Sequence, residues 1–242
     1  MQNKHTTMRD NSQRAKLAMI MIWVVTGINA LMAVSSYLQV KLLNVMAAGD
    51  AVSDQQTNMN DMREVIIGVL YTIAFIVSVV TFIQWFRRAY FNLHTKVKHL
   101  EFTEGWAAGS WFVPILNLFR PYQIMKELYE NTHRLLKREG APYDSANLTF
   151  VNLWWGLWVI VNIAENAITR LSLKAETVEA LILSSQASMI TSLLGVPLGI
   201  LAVRVISDYA AMESRLALLS DTEERPVDID FGGDDDILDT VS

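Results

Sequence analysis

Residues 65–86 read VIIGVLYTIAFIVSVVTFIQWF, and two arginines, Arg87 and Arg88, follow at once. The stretch carries no charge over its whole length. At ~1.5 Å rise per residue, about 20 apolar residues cover the ~30 Å hydrocarbon core of a bilayer. Its apolar side chains run all round a helix rather than along one stripe, as expected where the solvent is lipid. The reading is a transmembrane helix. The rest of the chain agrees: 52% of its 242 residues are hydrophobic, only 19% are charged, and mean hydropathy is +0.25. Soluble domains carry about a quarter charged residues.

Working outward, three more windows of sufficient length appear. The expected spans are about 17–40, 65–86, 148–169 and 185–206. The first is uncharged from Leu17 to Val40. That run exceeds the ~7–15-residue core of a cleaved signal peptide, so an uncleaved span is expected. Lys and Arg set the orientation. Sixteen lie in segment 1–16, segment 87–147 and the region from Arg204 onward, against four (Lys41, Arg63, Arg170, Lys174) in the two remaining loops. The expected location is the inner (plasma) membrane, with both termini and segment 87–147 cytoplasmic. The expected fold is all-α: a four-helix transmembrane bundle with an interfacial or re-entrant element and an amphipathic cytoplasmic helix.

That element is GWAAGSWFVPILNLFRPYQIM, residues 105–125. It is uncharged from Gly105 to Phe119, too short for a straight span, and interrupted by Pro114. Two readings stand: a re-entrant or surface-embedded element, or a helical hairpin packed under the bundle. Gly105 and Gly109 form GxxxG, which permits close helix contact, and Gly195 and Gly199 repeat the motif around Pro197. Pro121 suits the first turn of a helix that ends at Gly140. Met125, Leu128, Thr132, Leu135 and Leu136 share one of its faces, and Lys126, Glu130, Arg134 and Lys137 the other. It would lie on anionic lipid or on the protein's own residues. Trp85 and Phe86 sit where an interfacial aromatic belt would be.

WFRRAYFNL, GWAAGSWFVPILNLFRPYQIMKEL and NLWWGLWVIVN, in that order, resemble a bacterial domain-of-unknown-function family of polytopic membrane proteins. Its core signature, W-F-x-P-x-x-N-L-x-x-P-Y, falls here on Trp111, Phe112, Pro114, Asn117, Leu118, Pro121 and Tyr122. The resemblance covers roughly residues 17–210 and implies a bacterial membrane location without implying an activity.

Ionisable and amide groups within a span are functional candidates. Asn162, Glu165 and Asn166 share a face of the third span with Thr169, and Asn29 lies near mid-depth in the first, where it would seek a partner such as Asn162. These residues would line a small-ligand cavity or, more plainly, act as interhelical hydrogen-bond glue. Glu165 and Arg204 are on the order of 20 Å apart along the membrane normal, so Glu165 is expected to meet Arg63, Lys41 or Arg170, and Arg204 to meet Asp208.

No metal or cofactor is expected. The chain has no cysteine, and its four histidines are scattered and read as solvated loop residues. P-loop, G-x-S-x-G and H-E-x-x-H motifs are missing from the sequence, so an enzyme is not the favoured reading. Residues 221–242 hold nine acidic groups and Arg225, which leaves the rest of a chain of net charge −5 at +3. An EF-hand-like spacing from Asp228 lacks its exit helix. Segment 211–242 is therefore expected to be an acidic, disordered tail. The expected partners are the lipid bilayer and cytoplasmic proteins reaching 87–147 and the tail, with no nucleic acid. The expected role is a non-enzymatic scaffold or regulator; the alternative is a small transporter or a membrane protein that binds lipid or another small ligand.

Overall fold

The computed structural model describes residues 7–141 and 148–223. All regular structure in these residues is helical. The helices are α1 (Ser12–Ala47), α2 (Asp54–Lys96), α3 (Glu104–Gly109), α4 (Arg120–Arg138), α5 (Leu148–Ser172) and α6 (Val178–Glu223), with a 3-10 turn at Leu116–Leu118.

Local chemistry places the boundaries. Ser53 caps α2 through a capping box: its hydroxyl accepts from Gln56 N at 3.3 Å, and Gln56 Oε1 accepts from Ser53 N at 3.2 Å. Gly49 and Gly140 take the left-handed backbone just past α1 and α4. Pro121 sits in the first turn of α4, as its spacing predicted.

α1, α2, α5 and α6 are long and apolar enough to cross a bilayer. Leu70, Ile73, Ile160 and Ile190 each leave about half of their surface uncovered, together with many neighbours. Water would penalise such a belt; hydrocarbon does not. The fold fits a multi-pass membrane protein.

The bundle is a bent row rather than a closed ring. α1 packs most extensively on α6 and then on α2, α5 packs on α6, and α2 and α5 share no extended interface. The tightest contact is between α1 and α6. A Cβ at Gly199 would overlap Thr26 Oγ1, and one at Gly195 would come within 2.5 Å of Asn29 Nδ2. Gly195 and Gly199 thus bring the two backbones together. At Gly105 and Gly109 an added Cβ meets nothing within 4 Å, so the first GxxxG is no packing seam. It lies in a six-residue helix with one buried residue, Ala107, and has no facing backbone to approach.

The most deeply buried large side chains gather at one end, among them Trp85, Phe86, Tyr90, Ile124, Leu128 and Tyr209. Trp85 and Phe86 are core residues rather than an interfacial belt, covered by Tyr209 of α6, edge-on to Trp85 at 6.1 Å, and by Trp111, edge-on to Phe86 at 6.2 Å. α4 buries Met125, Leu128, Thr132 and Leu136 against the protein and turns Lys126, Glu130 and Arg134 outward, with Lys126–Glu130 at 3.7 Å and Glu130–Arg134 at 3.8 Å. Tyr129 OH donates to Val205 O at 2.6 Å, which ties α4 to α6. Phe102 stacks on the Arg120 guanidinium at 4.4 Å.

The histidines depart from expectation too. His94 and His133 lie on helices, half-buried, with His94 edge-on to Tyr90 at 4.8 Å. Helix also replaces the start of the expected tail. α6 runs unbroken through 211–223 because Met212, Glu213 and Leu216 are buried there. The remaining acidic stretch and its calcium-like spacing lie outside the described residues.

Candidate functional site

The open side of the row holds a cavity of about 310 Å³. α2 contributes Phe75 and Phe82, and α5 contributes Trp154, Trp158, Asn162 and Glu165. Its floor is the α1–α6 seam, with Thr26, Asn29, Gly195 and Gly199. Trp111 and Phe112 close one end.

These last two come from the segment between α3 and α4, which climbs alongside α5. Tyr122 OH donates to Asn152 Oδ1 at 2.8 Å. One step further, Trp155 Nε1 donates to Leu118 O at 3.1 Å. At the tip, Pro114, Ile115 and Asn117 share a hollow of about 480 Å³ with Asn162 and Asn166. Asn162 is ten residues beyond Asn152, so the segment rises about 15 Å along the helix. Trp111 is held edge-on by four rings: Phe82 at 5.4 Å, Trp158 at 5.8 Å, Trp155 at 6.0 Å and Phe86 at 6.2 Å. The tip stays apolar and outward, with Phe112 72% and Ile115 74% exposed.

Most backbone N–H groups of this irregular segment find partners within it. Phe112 N donates to Gly109 O at 3.1 Å, Asn117 N to Val113 O at 3.0 Å, and Leu118 N to Ile115 O at 3.1 Å. That internal pairing suits a low-dielectric surrounding, where an unmatched polar group costs several kcal/mol. The turn has a strained point. Ile115 has φ +70° and ψ −50°, and Leu116 N donates to Pro114 O at 2.8 Å, which makes a γ-turn at a β-branched residue. Ile115→Gly is therefore expected to raise the thermal midpoint of the detergent-purified chain, relieving on the order of 1–2 kcal/mol. A midpoint that falls would mean that the isoleucine side chain contributes more than its backbone costs.

The structure brings together three of the four polar residues expected to share a site: Asn29, Asn162 and Glu165 line the cavity, whereas Asn166 lines the neighbouring hollow. None of the three makes a side-chain hydrogen bond or ion pair among the described residues, although Asn29 is only 8% exposed. Asn166 Nδ2 bonds back to Asn162 O at 2.8 Å, and Thr169 Oγ1 to Glu165 O at 2.8 Å. The interhelical hydrogen bonds expected of these groups, Asn29 to Asn162 included, do not form among the described residues. None of the three cations expected for Glu165, Arg63, Lys41 and Arg170, pairs with it among the described residues, and Arg63 is engaged elsewhere. Arg63 donates to Asn60 Oδ1 at 2.6 Å and to Ser35 Oγ at 2.8 Å, and lies 3.4 Å from Glu64, which also accepts from Ser35. Arg204 does pair with Asp208, at 3.1 Å. No group of three or more metal-ligating side chains occurs among the described residues.

A family model described as "Domain of unknown function (DUF4328)" matches residues 48–211. The chain belongs to the DUF4328 family. No curated protein and no solved structure matches it. The DUF4328 match takes in α2 to α5 and α6 as far as residue 211, and so the climbing segment and two walls of the cavity. It begins after α1 rather than at residue 17, where the sequence resemblance was expected to start. Of the four long helices in this DUF4328 protein, α1 alone lies outside the match, yet it supplies Thr26 and Asn29 to the site.

A small-ligand cavity between the first and third spans was among the sequence expectations, and Asn29, Asn162 and Glu165 do line one. What the sequence did not indicate is its opening between α2 and α5, because nothing local shows that those two helices stand apart.

Proposed function

We propose that this protein is an integral inner-membrane protein that takes a small amphiphile from the bilayer into the α2–α5 groove. Its termini and segment 87–147 face the cytoplasm, and segment 105–121 is a re-entrant plug. The observation that carries the reading is that Asn29, Asn162 and Glu165, which find no side-chain partner among the described residues, line a cavity walled mainly by aromatic and aliphatic side chains. Ligand sites are typically apolar clefts of about 300–1,000 Å³ with a few converging polar groups, and this cavity falls at the lower end of that range. It is too small for another helix, whose diameter alone is about 10 Å.

The ligand's chain or ring lies against Phe82, Trp154 and Trp158. Its head reaches Asn29 and Asn162, and the Glu165 carboxylate selects a protonated amine over a neutral group. Trp111 and Phe112 block the cytoplasmic end, so entry is lateral, from lipid. This places ligand binding ahead of a scaffold role, because α4 already uses its apolar face on the protein itself.

The test is a titration of the full chain in phosphatidylcholine nanodiscs with spin-labelled dodecylamine and spin-labelled dodecanol, read as quenching of tryptophan fluorescence. Saturable quenching by the amine is expected, weakened about tenfold or more by Glu165→Gln, the worth of one hydrogen bond to a charged group. Equal, non-saturable quenching by both probes would refute the proposal.

A further inference from the structure

A second hollow, of about 510 Å³, lies where α1 begins and α2 leaves its expected span. Arg9, Arg14, Arg87 and Arg88 line it with Phe91 and Glu104. Arg87 Nε donates to Glu104 Oε1 at 3.0 Å. Arg9, Arg14 and Arg88 form no ion pair among the described residues, so the hollow gathers four guanidiniums against one carboxylate.

The cations are held rather than splayed. The guanidiniums of Arg9 and Arg88 both lie over the Phe91 ring, at 4.6 and 5.7 Å from its centroid. The Arg9 backbone is pinned on both sides by one amide: Arg9 N donates to Asn92 Oδ1 at 2.9 Å, and Asn92 Nδ2 donates to Arg9 O at 2.8 Å. That clamp brings the segment ahead of α1 back against α2. Burial lowers the Arg88 pKa, and the positive charges of Arg14 and Arg9 lower it further. Cations fixed around one hollow repel one another unless an anion lies among them. Guanidinium forks match phosphate oxygens in pairs. The height fits as well: Arg14 precedes the first expected span by three residues, and Arg87 and Arg88 directly follow the second.

We infer that this arginine cleft binds the phosphate of an anionic phospholipid headgroup. A soluble phosphate ester would use the same forks, so the test separates the two sources. The full chain is extracted from phosphatidylcholine nanodiscs doped with phosphatidylglycerol, and retained lipids are counted by native mass spectrometry. The same preparation is then titrated with inorganic phosphate and with ATP.

One phosphatidylglycerol per chain is expected to persist over phosphatidylcholine. In the Arg9→Gln/Arg88→Gln double variant its retention should weaken about thirtyfold, at the usual worth of an arginine beside an anionic surface. Glu104→Gln frees Arg87 and should tighten retention severalfold, a gain that a misfolded variant would not show. The Arg134→Gln/Lys137→Gln variant removes as much charge from the exposed face of α4 and should change nothing. Equal retention of both lipids, or an equal loss in the α4 control, would overturn the cleft. Displacement of the lipid by millimolar ATP with the same variant dependence would keep the phosphate site and overturn its lipid source.

Discussion

Gly199→Ala is expected to destabilise the bundle more than a glycine-to-alanine change at any other helical glycine among the described residues. The added carbon would overlap Thr26 Oγ1, and that oxygen cannot easily turn away because it donates to Ile22 O at 2.7 Å. α1 and α6 must separate or Thr26 must give up its rotamer. Overpacking of this kind costs about 1–3 kcal/mol, and a contact along the main helix seam belongs at the upper end. In thermal unfolding of the detergent-purified chain the midpoint should fall sharply. Thr26→Ala in the same chain should restore part of the loss by removing the overlapping oxygen, while Thr26 Cβ, 3.2 Å from the added carbon, still requires a small shift. Gly105→Ala and Gly109→Ala meet nothing and gain helix propensity, so they should be neutral or slightly stabilising. A Gly199→Ala midpoint no lower than theirs would contradict the packing described for α1 and α6.

The second large effect concerns Glu213, which is 7% exposed and makes no ion pair among the described residues. Its carboxylate accepts from Asn92 Nδ2 at 2.6 Å and from Asn11 Nδ2 at 3.0 Å, and Asn11 Nδ2 also lies 3.3 Å from Trp85 O. One side chain thus ties α6 to α2 and to the residue just ahead of α1. Glu213→Ala removes two hydrogen bonds to a charged group, each worth roughly 1.5–3 kcal/mol, and should lower stability by about 3 kcal/mol or more. Burial raises the Glu213 pKa above its usual 4.5; the two amide bonds and the Arg88 charge oppose that rise, and the Asp10 charge adds to it.

The sign of the pH effect follows from that raised value. Between pH 4.5 and the folded pKa, the folded state holds more protons than the unfolded state. The associated stability is therefore complete below pH 4.5 and is lost as pH rises through the folded pKa. Asp10 acts in a separate window: its pKa is lowered from 3.8, chiefly by the Ser12 N–H, so its contribution disappears only in stronger acid. Thermal midpoints from pH 4 upward should decline across the Glu213 window in the native chain and lose that decline in Glu213→Gln. A native profile that instead rises relative to Glu213→Gln would show that the amide bonds outweigh burial.

The four spans were legible because length and lack of charge are local properties, and the bilayer reads little else. Their true lengths were not. α1, α2 and α6 run on past the apolar windows because their polar ends pack on one another, as Asn11, Asn92 and Glu213 do across 121 and 202 positions of sequence. The paired glycines make the same point. Gly105/Gly109 and Gly195/Gly199 are identical as motifs, and only the second faces a backbone. For the candidate site, the residue types of Asn29, Asn162 and Glu165 were readable, and so was the i, i+3 spacing of the last two. What could not be read was which helices leave a gap. The core motif illustrates a middle case. Trp111 and Tyr122 announced themselves by composition, but their purpose depends on Trp155 and Asn152, which belong to another helix.

α6 carries Pro197 within its helix, between the two glycines that seat it on α1. Glu213 lies 16 residues beyond that proline, about 24 Å along a rod with no second proline in it. The arrangement is a lever with its fulcrum beside the cavity floor. A tilt of ~5° at Pro197 would swing the far end by about 2 Å, comparable with the whole length of a hydrogen bond from proton to acceptor. A displacement at the floor, where Asn29 and Thr26 face the glycines, would thereby be geared up at the Glu213 end of α6.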